Sequence, residues 1–133
     1  MEGTININEE TCAPYNAQAK TDDTAKAISN AVSALDYLID AQKGKVPDEL
    51  TGPCHAIRLV GIDLRRQAMG ADPVVMDWIL RIASALDFMF ECEADNQDYF
   101  ATAKHFDGFL YVLDLLRDDL LTLYEGHFVT RPN

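Results

Sequence analysis

The chain has 133 residues, 48% of them hydrophobic, and 22 acidic against 11 basic side chains give it a formal net charge of −11. That length and apolar content suit one domain with its own core and exclude a wholly disordered chain. The charge disfavours direct contact with nucleic acid or anionic membranes and points to a protein partner, either basic or neutral and apolar.

Residues 1–20 show no helical period, and Pro14 stands among scattered polar residues, so a flexible or extended N-terminal arm is expected. The opening MEGTININEE has neither a positively charged leader nor an apolar run, and no stretch of 18 consecutive apolar residues occurs anywhere. No signal peptide, anchor or membrane span is expected. Cys12, Cys54 and Cys92 are odd in number and form no C-x-x-C pair. They read as reduced thiols of a cytoplasmic protein.

The first helix is predicted over 22–43. Thr21 to Thr24 supplies capping residues and first-turn acids, and Gly44 supplies the stop. Thr24, Ile28, Ala31, Val32, Leu35, Leu38 and Ile39 share one face, opposite Lys26, Ser29, Ser33, Asp36 and Asp40. A connector containing Pro47 follows. Pro53 then opens a second helix over 53–69, closed by Gly70. Its core face carries Cys54, Ile57, Val60, Gly61, Leu64 and Ala68. A glycine inside a helix costs about 1 kcal/mol relative to alanine, so another backbone is expected to pass close to Gly61. The opposite face holds His55, Arg58, Ile62, Arg65, Arg66 and Met69. Arginines interleaved with apolar residues mark a candidate partner-binding face. The competing reading pairs these arginines with acids of the chain's own later helices.

Asp72-Pro73 starts a third helix over 73–94, with Val75, Ile79, Ile82, Ala83, Leu86, Met89 and Phe90 inward. The fourth, over 96–125, ends at Gly126 and leaves residues 127–133 as a tail. Phe106, Phe109, Leu110, Leu113, Leu116, Leu120, Leu121, Leu123 and Tyr124 fall on one half of its wheel. At 1.5 Å per residue it would be on the order of 40 Å long, a wall against which every other segment could pack. Four helices with short connections predict an all-α fold, a single-domain antiparallel four-helix bundle over residues 21–126.

Two further patterns stand on the third and fourth helices. Leu80 and Phe88, then Phe100, Tyr111 and Leu115, fall among charged residues where a helix should be wet. Such an apolar stripe predicts self-association, most simply as a homodimer. Between Asp72 and Glu125 twelve acids face three basic residues, and Asp87, Glu91, Glu93, Asp95, Asp98, Asp114, Asp118 and Asp119 form a candidate acidic surface. It is either a solvated face or a mimic of nucleic-acid phosphates, a decoy of phage or mobile-element type that fills the basic groove of a nucleic-acid-binding protein.

Motifs for chemistry are missing. No Glu-x-x-His pair offers the ligands of a di-metal bundle, and no Gly-x-Ser-x-Gly or phosphate-cradling glycine loop occurs. No cofactor, metal or catalytic residue is expected. The function these features predict is a non-enzymatic interaction module, a regulator or adaptor. The alternatives are an acidic decoy, and a small-molecule-binding bundle or enzyme with a pocket near Trp78, Met89 and Phe106.

Overall fold

The computed structural model describes residues 17–43, 51–95 and 103–129. The expected arm, except its last four residues, the connector after Gly44, the start of the fourth helix with Asp98 and Phe100, and residues 130–133 lie outside that set. The described residues form four helices: α1 (Ala17–Gln42), α2 (Thr51–Ala68), α3 (Pro73–Asp95) and α4 (Ala103–His127).

Each inward face is the one its apolar period dictates. Ile28, Leu35 and Ile39 of α1, Ile57 and Leu64 of α2, Ile79, Ile82 and Leu86 of α3, and Phe109, Leu113, Leu120 and Leu123 of α4 are fully buried in one continuous core. Leu121 is the exception: it sits at the rim of the apolar half of α4 and is exposed.

Contacts run around a ring, α1 to α2 to α3 to α4 and back to α1. Lys20 at the start of α1 meets Gln67 at the end of α2, and Trp78 near the start of α3 meets His127 at the end of α4. Neighbours are therefore antiparallel, as four helices with short connections require. Packing around the ring is uneven. The α2–α3 and α1–α4 pairs are the most extensive, and the α3–α4 seam is the sparsest. The expectation that the fourth helix is the wall for every other segment is not met. Among the described residues α2 and α4 stand at diagonal corners and make no close backbone approach.

Helix ends show where local signals were sufficient. The Asp72 carboxylate accepts from the Val74 amide at 2.9 Å, and Pro73 follows as the first helical residue, a cap of the expected kind. Gly70 has φ of +84°, the left-handed conformation that lets α2 stop and the chain turn within four residues. Elsewhere tertiary contacts moved the ends. The first helix begins at Ala17, one turn and more before residue 22, and this earlier start makes Lys20 helical. Its ammonium donates to the Gln67 carbonyl at 2.6 Å, satisfying an acceptor at the open end of α2. The second helix begins at Thr51, so Pro53 lies within the first turn, where no amide partner is lost. Gly126 does not end α4. The helix runs on to His127, the Phe128 amide still donates to the Tyr124 carbonyl at 2.9 Å, and the Phe128 ring stacks on Tyr124 against the core.

Candidate functional site

On α2 the outward stripe carries His55, Arg58, Leu59, Ile62 and Arg66, which recur at helical spacing opposite the core positions, and exposed Met69 follows in the turn just past the helix end. Leu59 is 53% exposed and Met69 63%. Leu59, which the arginine pattern alone does not single out, stands one turn beyond His55 and one turn before Ile62, a spacing that puts it on this face. Arg58 lays its guanidinium over the Phe90 ring at 4.9 Å from the centroid, which fixes the side chain and leaves its edge toward solvent. Arg66 is exposed.

Arg65 behaves differently. It turns toward α3, where it forms an ion pair with Asp87 and reaches the Ser84 hydroxyl at 3.3 Å. The two readings of the arginine face thus divide by residue: Arg65 pairs within the chain, and Arg58 and Arg66 remain on the outside. Asp87 is in the same step removed from the open acidic surface.

That surface is smaller than its charge count implied. Glu93 is not on it: the side chain is only 4% exposed and lies at the end of the core beside Cys54. Arg117 binds Asp114 at 2.7 Å and Asp118 at 3.0 Å, and it crosses to Asp36 of α1. The side chain of Asp95, like Asp98, lies outside the described residues. Glu91, Asp107 and Asp119 are exposed, and among the described residues none of the three is in an ion pair.

The apolar stripe also divides. Leu80 is half-buried and packs on the core, so it does not belong to an open face. Phe88 on α3 is 67% exposed; Tyr111 and Leu115 on α4 are 63% and 48% exposed, and Val112 joins them. Tyr111 and Leu115 point straight out from α4, bracketed by Asp107 on one side and Asp118 and Asp119 on the other. Phe100 lies outside the described residues. Tyr37, on the outer side of α1, is a further exposed ring that the sequence reading did not single out.

Two clefts bear on small-molecule binding. One of about 440 Å³ opens at the end of the bundle between Lys20, Thr24, Asp72, Val75, His127 and Phe128. Another of about 390 Å³ lies at the α3–α4 seam beside Trp78, with Val74, Asp77, Arg81 and Asp119. Trp78, Met89 and Phe106 do not converge on a common cleft there: Met89 and Phe106 are buried core residues, and Trp78 lines the outer cleft. The buried thiol of Cys54 is pushed up to about 12, first by burial and second by the Glu93 carboxylate, so it stays protonated at neutral pH. Among the described residues no three His, Cys, Asp or Glu side chains converge as metal ligands, and no helix is long and apolar enough to cross a membrane.

Comparison with known proteins gives no match, whether with family models, with characterised proteins or with solved structures.

Proposed function

We propose that this chain is a non-enzymatic protein–protein interaction module, a regulator or adaptor that works through the outward faces of its bundle. The observation that carries this reading is the pair of exposed apolar stripes, Leu59 and Ile62 on α2 and Tyr111 and Leu115 on α4, each bracketed by charge. An apolar centre with a charged rim is the anatomy of a docking surface. Scattered single apolar residues would not support it. A cytoplasmic location belongs to the same reading, and the free thiols of Cys54 and Cys92 agree with it.

Association of the purified protein tests the proposal. The chain has a mass of 14.8 kDa, and light scattering should give a larger value that falls to the monomer when Tyr111→Asp is combined with Leu115→Asp. Circular dichroism should show the helices intact in that variant, because both side chains point away from the core. A mass of 14.8 kDa for the unaltered chain at every concentration, up to millimolar, would overturn the reading.

A further inference from the structure

The two stripes differ in charge, and that difference identifies what each one fits. The α2 stripe places Leu59 and Ile62 between Arg58 and Arg66, with His55 at its end. The α4 stripe places Tyr111 and Leu115 between Asp107 and the pair Asp118 and Asp119. Both have an apolar centre about one helical turn long, with charges of a single sign at its ends. At 1.5 Å per residue the brackets stand about 12 Å apart on α2 and about 17 Å apart on α4, a difference that the exposed Arg66 side chain can span while Arg58 stays over Phe90. A shallow cleft of about 230 Å³ between α1 and α2, lined by Asn30, Ala31, Ala34, Leu59, Val60 and Asp63, gives a projecting tyrosine a place to enter, with polar groups at its edge for the hydroxyl.

We infer that the α2 stripe of one copy docks on the α4 stripe of another, so that the protein assembles head to tail. This rests on the interaction-module reading and names the partner as a second copy of this chain. Charge complementarity selects the pairing. Either stripe facing its own equivalent across a two-fold axis would bring Arg58 and Arg66 against arginines, or Asp107 and Asp119 against aspartates, and like charges in register repel. Position in the bundle sets the symmetry. Because α2 and α4 occupy diagonal corners, their outer faces point in opposite directions, and one neighbour cannot cover both. Each docked copy leaves an α2 stripe open at one end and an α4 stripe at the other. The contact is therefore heterologous and adds copies in a row until the row closes into a ring. Where the sequence alone suggested a simple homodimer, this contact calls for a mass that rises with concentration.

Sedimentation velocity on the full chain over a concentration series, at low and high salt, provides the test. The unaltered protein should pass dimer mass and should weaken as salt screens the rim charges. Arg58→Glu with Arg66→Glu should weaken assembly about tenfold or more, and Asp107→Lys with Asp119→Lys should do the same. In a mixture of the two double variants both the original contact and its charge-reversed counterpart can form between unlike copies, so the mixture should grow as an alternating row although neither variant does so alone. Combining all four reversals in one chain exchanges the charges and should restore growth beyond the dimer. A closed dimer indifferent to both sets of reversals, yet abolished by Tyr111→Asp with Leu115→Asp, overturns the head-to-tail contact and leaves the interaction-module reading standing. A monomer under all conditions overturns both. Failure of the four-fold reversal to restore assembly, with its helical content unchanged, also overturns the pairing.

Discussion

Arg117 of α4 crosses the interface to Asp36 of α1 while also holding Asp114 and Asp118 of its own helix, so one guanidinium gathers three carboxylates. Its side chain is three-quarters covered, and its pKa is raised, first by the hydrogen bond it donates to Asp36. Without that cation, three acids would face one another at the α1–α4 interface, one of the two most extensive in the bundle. Arg117→Ala is expected to cost about 1–3 kcal/mol of unfolding free energy. Part of the loss should return at high salt, because the remaining repulsion is screened. Arg117→Lys should recover only a fraction, since a point charge cannot bind three carboxylates in separate directions. Urea titrations of the three proteins at two salt concentrations decide this, and equal midpoints would refute it.

Gly61 gives a second test. A methyl group built there would lie 3.5 Å from the Ala83 carbonyl and 3.5 Å from the Leu86 side chain, which is ordinary contact distance. Gly61→Ala should therefore be neutral or stabilising by up to about 1 kcal/mol, through helix propensity. Gly61→Leu should destabilise by about 1–3 kcal/mol, because the larger side chain meets the backbone of α3. Thermal unfolding of the two variants separates a packing limit from a mere absence of side chain.

Thr24 is buried, and its hydroxyl donates to the Lys20 carbonyl at 2.9 Å and approaches the Gln67 carbonyl at 3.4 Å. Together with the Lys20 ammonium it joins the start of α1 to the end of α2. Thr24→Val keeps the volume and removes the donor, with an expected loss of about 1 kcal/mol. Lys20→Met should unravel the turn before residue 22, so amide hydrogen exchange over the first turns of α1 should rise while the middle of the helix stays protected.

The Cys54 thiol predicts a pH dependence at the alkaline side. Its folded pKa of about 12 exceeds the unfolded value near 9, so above pH 9 the unfolded chain loses a proton that the folded chain keeps. Stability must then fall as pH rises from 9 toward 12, by about 1.4 kcal/mol per pH unit for this one group. Cys54→Ala should flatten the slope over that window. Glu93→Gln should reduce it less, because the carboxylate is the smaller of the two causes and burial remains. At pH 8 Cys54 should resist alkylation in the folded protein while the half-buried Cys92 reacts faster, as read by mass spectrometry of the two peptides.

The apolar period determined by itself that this chain is helical and, Leu121 apart, which residues face inward on each helix, while local signals marked Asp72-Pro73 and Gly70 as the punctuation of the α2–α3 hairpin. These features are local: a helix brings residues three and four apart together whatever else the chain does, and a capping carboxylate or a left-handed glycine acts within its own turn. Tertiary structure alone decided which charges are open. Arg65 and Arg66 are neighbours in the sequence, yet one turns to Asp87 and the other to solvent, because a rotation of 100° puts only the first within reach of α3. Glu93 looked like part of an acidic surface until the end of the core closed over it beside Cys54, and Leu80 left the apolar stripe for the same reason of packing. The diagonal placement of α2 and α4, which sets their stripes back to back, depends on ring order around a shared core, and a pattern within one helix carries no record of which helix lies opposite.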